Sequence, residues 1–308
     1  MTKISIVTPT FNEDQNIQKL CSDIKKEMEI LSLDYEHIII DNSSTDNTIK
    51  ILKEICNEDK KVKVIINAKN YGHIKSPFYG ILQTTGDACI LMASDFQDPV
   101  ELIPEYIEKW KKGSKIVLGE KIKSEESSTI FSARKLFYKF LNKISETKLS
   151  ENTTGSGIFD KTVVEKLRKI NDPYPYFRGL LNEIGETVET VKFNQPNRLL
   201  GKTKNNFFTL YDIGMLGIVK HSRMPLRFMI LIGFLSSLIS FGIAIFYLIY
   251  KILFWNSFEL GIAPLVIGIF LFASIQILLI GIIGEYIGII LLHQRNMPLV
   301  VEKERINF

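Results

Sequence analysis

Hydrophobic positions along the chain follow three different patterns. In the first, short and mostly apolar stretches mark strands at 3–8 (KISIVT), 35–40 and 61–67, and a fourth strand runs through the continuous apolar run Ile90-Leu91-Met92. Continuous apolar runs of this length suit strands buried on both faces. Between them the spacing changes to three and four: Ile17, Leu20, Ile24 and Met28 form one stripe of a helix predicted over 14–31. Further helices are predicted over 47–56 and from His73 to near Gly86, and a fifth strand over 115–119. Strand–helix alternation with right-handed crossovers gives an α/β fold with a mostly parallel sheet. The second pattern is basic and aromatic. A helix over 131–144 sets Arg134, Lys135, Lys139 and Lys143 among Phe131, Phe137 and Phe140. That composition suits a membrane surface, or a helix packed on the sheet with a solvated basic face. A similar helix over 206–220 carries Phe207, Phe208, Tyr211 and Leu216. The third pattern has no polar face. Residues 228–250 and 260–284 contain no charged side chain, and each run exceeds the roughly 20 residues that cross a bilayer as helix.

Charge adds an orientation. The 308 residues carry a net charge of only +4, but Lys220, Arg223 and Arg227 precede the first span, and Arg295, Lys303 and Arg305 follow the second. The connection 254–259 has neither Lys nor Arg, although Lys251 borders it. By the positive-inside rule both chain ends face the cytoplasm. The expected organisation is a cytoplasmic domain over 1–204, a juxtamembrane amphipathic helix over 205–225, spans over 226–253 and 260–292, and a cytoplasmic tail over 293–308. Residues 260–292 would reach about 50 Å as helix, beyond the roughly 30 Å hydrocarbon core, which puts Glu285 at the cytoplasmic boundary. Gly281, Gly284 and Gly288 offer a small-residue face for close packing within or between chains. No N-terminal signal is expected, since Met1-Thr2-Lys3 leads straight into a strand. Cys21, Cys56 and Cys89 lack metal-like spacing, and an odd number fits a reducing compartment; they read as buried thiols. Nucleic acid is not an expected partner.

Candidate chemistry lies where the fourth strand breaks into Ala93-Ser94-Asp95-Phe96-Gln97-Asp98-Pro99. The C-terminal end of a parallel strand is where an open α/β sheet meets its ligand. Oxygen donors there suit Mg²⁺ or Mn²⁺ arriving with phosphates; a simple Asp–Pro turn is the bland alternative. The second strand brings Asp41 to the same edge. Neither G-x-G-x-x-G nor a P-loop motif is present, so a phosphate-bearing ligand must be held by carboxylate, metal and basic side chains.

The order VTPTFNE, IIIDNSSTDNT, NYGH, DFQDP resembles the glycosyltransferase family 2 catalytic domain, of GT-A fold. The paired spans and the segment GIIGEYIG narrow the resemblance to polyprenyl-phosphate glycosyltransferases, similar to dolichol-phosphate mannose synthase and the bactoprenol glucosyltransferases. The resemblance implies that Pro9, Thr10, Asn12 and Glu13 line a nucleotide pocket and that Asp41 meets the base or ribose. Asp95 and Gln97 would face the metal and donor diphosphate, with Asp98 in support. Lys121 stands where relatives often have an Arg near the donor phosphates; a solvated surface lysine is the alternative. Thr10 and Asn12 also read as helix caps, as does Asp46. Many relatives have an Asp where this chain has Ala93, so a Mg²⁺ or Mn²⁺ ion here would rely on Asp95, Gln97, the diphosphate and water. Relatives often have an acid at the position of Gly155, within a polar turn expected over 152–157. The loop 172–179 is expected near the acceptor. The segment 198–204 resembles the family's R-x-x-G-x-[ST]-K, in which Arg198 and Lys204 would clamp phosphate oxygens; a flexible basic loop is the alternative. The implied activity is inverting transfer of one sugar, from a nucleotide sugar with UDP favoured over GDP, to a polyprenyl phosphate such as undecaprenyl phosphate. This would occur at the inner face of a bacterial plasma membrane, among membrane lipids. A different lipid acceptor, or a non-catalytic scaffold that binds nucleotide sugar, is the alternative. A homo-oligomer, a tetramer by resemblance, is also implied. A processive synthase is disfavoured, because Q-x-x-R-W is absent.

Overall fold

The computed structural model describes residues 2–123, 153–196, 215–220, 222, 224–254, 262–295 and 297–308. The eight strands are β1 (Lys3–Thr10), β2 (Asp34–Asp41), β3 (Val62–Asn67), β4 (Ala88–Leu91), β5 (Ile116–Lys123), β6 (Thr153–Asp160), β7 (Val188–Asn194) and β8 (Glu302–Ile306). The helices are α1 (Ile17–Ile30), α2 (Thr48–Glu58), α3 (Gly72–Leu82), α4 (Ile103–Lys111), α5 (Lys161–Arg168), α6 (Phe177–Glu183), α7 (Met224–Leu253) and α8 (Ile262–Gln294). One sheet contains all eight strands, in the order β7-β5-β6-β4-β1-β2-β3-β8. Only β6 and β8 run against the others.

The continuous apolar runs are explained by helices on both faces. Ile4, Ile6, Ile39, Val64 and Ile90 meet the stripe Ile17, Leu20, Ile24 and Met28 of α1. On the other face Val7, Ile38, Ile40 and Ile65 meet Phe78 and Ile81 of α3 and Leu167 of α5. Burying apolar area on this scale, at about 25 cal/mol per Å², is what holds the strand ends in register.

Three elements differ from the sequence reading. β5 continues to Lys123, so Lys121 lies in a strand rather than after one. Residues 153–157 are not a turn but the first half of β6, paired antiparallel with β4 and β5. Gly157 makes this possible: a Cβ there would lie 2.0 Å from the carbonyl oxygen of Val117. Finally, residues 302–306 of the expected tail return to the sheet as β8, antiparallel to β3.

α7 and α8 contain the two candidate membrane spans, Met224–Ile243 and Leu271–Gln294. Their large apolar side chains, among them Phe228, Phe234, Ile277 and Ile280, are exposed. At its C-terminal end α8 is fastened to the domain. The Tyr286 hydroxyl donates to the carbonyl of Ser222 at 2.9 Å, and Ile289 joins Tyr176 and Leu216 in a small apolar cluster. A Cβ added at Gly281, Gly284 or Gly288 meets nothing within 4 Å, so the glycine face is not used for packing within the described chain. Of the two amphipathic helices, that over 131–144 lies outside the described residues, and that over 206–220 is described, as helix, only over 215–220.

Candidate active site

The C-terminal ends of β1, β2 and β4 form one edge, and the sequence-predicted polar residues gather there. The register pairs Thr10 with Asp41. Beyond β1 the chain turns at Asn12, whose φ of 55° is positive. That conformation is held from the neighbouring loop. The backbone N–H of Asn12 donates to Ser44 Oγ at 2.8 Å, and its Oδ1 accepts from the N–H of Thr45 at 2.7 Å. The N–H of Glu13 donates to Thr48 Oγ1, while its carboxylate accepts from Asn16. Neither Thr10 nor Asn12 caps α1, whose N-cap position is Asn16. Nor is Asp46 the N-cap of α2, a position held by Asn47; it sits one residue earlier and accepts from the N–H of Thr48 at 3.0 Å.

Asp41 is fully buried and accepts twice from Ser44, at 2.9 Å from the N–H and 2.5 Å from the hydroxyl. Burial raises its carboxyl above the ordinary range despite those bonds. Next to it Asn42 uses its whole side chain. It donates to Asn70 Oδ1 and to the carbonyl of Gly72, and accepts from Asn67 and from the N–H of Tyr71. Thus the 70–72 loop is locked to the end of β2. The sequence reading did not single out Asn42; four bonds across two loops leave no local pattern to find.

After β4, Ser94 donates to the carbonyl of Pro9, which ties the acidic loop to β1. Phe96, with φ 58°, makes the tight reversal, and Asp95 Oδ1 accepts from the N–H of Gln97. Asp95 and Asp98 are both buried. Asp98 Oδ2 accepts from Ser156 at 2.5 Å, while Oδ1 has no hydrogen-bond partner. Burial raises the Asp98 carboxyl; Ser156 and the nearby Lys121 oppose this, and Asp95 adds to it. Lys121 donates to Gln195 at 2.6 Å. Arg178 lies 3.4 Å (Nε) from where a Gly155 side chain would begin. An acid at 155 would therefore meet a guanidinium. Arg198 and Lys204 lie outside the described residues.

No group of three or more His, Cys, Asp or Glu that could hold a metal ion occurs among the described residues. A Mg²⁺ bound with a diphosphate requires less, one or two carboxylates with phosphate and water oxygens. Asp95, with the half-bonded Asp98 close by, fits that smaller set. A cavity of 460 Å³ lies elsewhere, lined by Asp172, Tyr176, Lys220, Tyr286, Ile289 and His293 among others, and none of the strand-end carboxylates lines it.

A strand-end acidic edge without a glycine phosphate cradle, on a mostly parallel sheet, agrees with the family the chain matches. The chain belongs to glycosyltransferase family 2, whose model spans residues 5–168, and it is a glycosyltransferase. Among its relatives, the bactoprenol glucosyl transferase of Shigella phage SfX is 32% identical over 98% of this chain and 99% of that one. The prophage bactoprenol glucosyl transferase homolog of Escherichia coli (strain K12) is 31% identical over 98% of each. Among solved structures, glucosyl-3-phosphoglycerate synthase from Mycobacterium tuberculosis aligns with a TM-score of 0.49 and 17% identity, covering 71% of this chain and 78% of that one.

Proposed function

We propose that the protein transfers a single sugar, glucose in the first instance, from a UDP-sugar to a polyprenyl phosphate at the cytoplasmic face of a bacterial plasma membrane. The observation that carries this reading is the joining of two parts. A domain with Asp41, Asp95 and Asp98 on one sheet edge is fastened through Tyr176 and Ile289 to an apolar helix long enough to span a bilayer. Near-full-length similarity to bactoprenol glucosyl transferases supports the lipid acceptor.

In this reading Pro9, Thr10, Asn12 and Glu13 border the nucleoside. Asp95 and Gln97 would hold a divalent cation, which would neutralise the diphosphate, and Lys121, Arg198 and Lys204 supply positive charge as the nucleoside diphosphate leaves. The acceptor phosphate, already charged near neutral pH because its second pKa is about 6, attacks the anomeric carbon from the opposite face. The product is an inverted sugar–phosphate bond, and no protein general base is needed, in keeping with glycine at 155.

The test is transfer from labelled UDP- and GDP-sugars to undecaprenyl phosphate or diacylglycerol by the purified full chain, with and without Mg²⁺ or Mn²⁺. One UDP-sugar should label the polyprenyl lipid, and Asp95→Ala should lower the rate about a hundredfold, the scale of a lost electrostatic stabiliser. Labelled diacylglycerol, or donor binding without turnover, would overturn the reading.

A further inference from the structure

Three cations are drawn together with no counter-ion among the described residues. Lys69 lies just after β3, Lys75 in the first turn of α3, and Arg295 just past the end of α8. The Lys69 ammonium stands over Tyr71 at 5.2 Å, and that of Lys75 over Tyr174 at 5.3 Å. Among the described residues no carboxylate comes within ion-pairing distance of any of the three. The nearby carboxylate, Asp172, is already taken by Lys220 at 2.5 and 2.7 Å, with His293 at 3.5 Å. Burial, then Lys69 and Arg295, hold the Lys75 ammonium below the usual lysine range. Surface lysines ordinarily spread apart or pair. A half-buried one facing two like charges is a site whose anion is supplied from outside.

Its placement says which anion. On one side the loop carrying Lys69 is locked to the residue after Asp41 through Asn42. On the other, Ile74 and Tyr174 pack against the same Tyr176–Leu216 cluster as Ile289 of α8. The cations therefore bridge the catalytic edge and the foot of the membrane helix. A patch that merely attracts an anionic bilayer needs no connection to the strand ends. We infer that Lys69, Lys75 and Arg295 receive the phosphate of the lipid acceptor, holding it between the membrane and the sheet edge. This rests on the proposed transfer to a lipid phosphate and assigns residues to its acceptor side. An ammonium above a tyrosine face supplies charge without a rigid fork, which suits a headgroup that must arrive, react and leave.

The experiment uses the full chain in nanodiscs, wild type beside Lys69→Gln, Lys75→Gln, Arg295→Gln and the triple variant. Each single change should raise KM for undecaprenyl phosphate about tenfold, the scale of one charge-assisted hydrogen bond. KM for the nucleotide sugar and kcat at saturating acceptor should hold. Melting temperature should stay or rise, because removing one of three like charges relieves repulsion; a structural role would lower it. An unchanged acceptor KM overturns the assignment. So does an equal rise in donor KM, which would mark a donor contact. A variant effect seen only in discs containing phosphatidylglycerol would mark a bilayer headgroup contact and also overturn it. If wild type makes no lipid product at all, the functional reading fails separately. Co-purification of undecaprenyl phosphate with wild type but not the triple variant would then still uphold the phosphate site, and equal co-purification would overturn it.

Discussion

Two buried carboxylates at opposite ends of the parallel strands show how single residues divide stability from chemistry. Glu36 in β2 accepts from Ser5 Oγ at 2.6 Å, Thr85 N–H at 2.7 Å, Thr85 Oγ1 and Lys63 at 2.8 Å, and Lys3 at 3.1 Å. Burial alone would raise its carboxyl, but the bonds from Lys63, Ser5 and Thr85 outweigh it and bring the pKa down from 4.5 to about 2. A depressed folded pKa means stability that is complete above the unfolded value and lost as pH falls through the folded one. Glu36 should thus stabilise the fold by on the order of 3 kcal/mol near neutrality, fading between pH 4.5 and about 2. Melting curves in detergent check this. The gap between wild type and Glu36→Gln should close over that window, and a gap independent of pH would refute the linkage. Asp98 is the reverse case, raised by burial, with Ser156 donating to Oδ2 and Oδ1 unpartnered. Ser156→Ala removes a bond to a buried charge and should cost about 1–3 kcal/mol. Because it lifts the carboxyl further, the acid limb of the transfer rate should move to higher pH. A pH–rate profile identical to wild type would show that ionised Asp98 does not support the reaction.

At the scale of elements, legibility followed burial. β1 to β4 were readable because a parallel sheet covered on both faces needs mostly apolar strands, and these carry the acids Asp41 and Asp95 to one edge. β6 was not readable: TTGSG looks like a turn, and only the close approach of Gly157 to Val117 shows why glycine is needed in a strand. β8, EKERI, leaves Lys303, Glu304 and Arg305 exposed and so has no apolar signal. Its partners are distant in sequence: Lys53 with Glu304, Tyr79 with Glu302, Gln83 with Arg305. The same holds for the site. Its acids were visible, whereas Asn42 and Ser156 owe their roles to partners on other elements. Covering the β3 edge also guards against edge-to-edge association. Asn307 completes that cover, donating to the carbonyls of Cys56 at 2.8 Å and Val62 at 2.9 Å from a backbone with φ 62°. Asn307→Ala loses both bonds and a residue type suited to that conformation. Its melting temperature should fall by about 5 °C, since about 1 kcal/mol corresponds to 2–4 °C at this size. An unchanged melting temperature would mean that β8 is held by its ladder alone.

For the whole molecule, the return of the chain to β8 decides the topology. Residues 215–220 reach the domain through Leu216, and β8 pairs with β3 of the same domain. The segment between them must therefore leave and come back. α7 has 30 residues and α8 has 33, so each is about 45–50 Å long and can cross a hydrocarbon core of roughly 30 Å. Membrane-crossing helices fastened to one domain at both ends put their connection on the far side. By the positive-inside rule the basic residues Lys220, Arg227 and Arg295 favour the proposed cytoplasmic placement of the domain. Cysteine labelling tests this on a quiet background. The three native thiols are buried, and burial pushes Cys21 up to about 12 and Cys56 to about 11, so neither is a thiolate at neutral pH. In intact cells a membrane-impermeant thiol reagent should modify Phe254→Cys, at the end of α7, and leave Met297→Cys untouched. After lysis Met297→Cys, exposed just ahead of β8, should react as well. Labelling of Met297→Cys before lysis would invert the protein in the membrane, and would put the nucleotide-sugar edge on the side where cytoplasmic UDP-sugars cannot reach it.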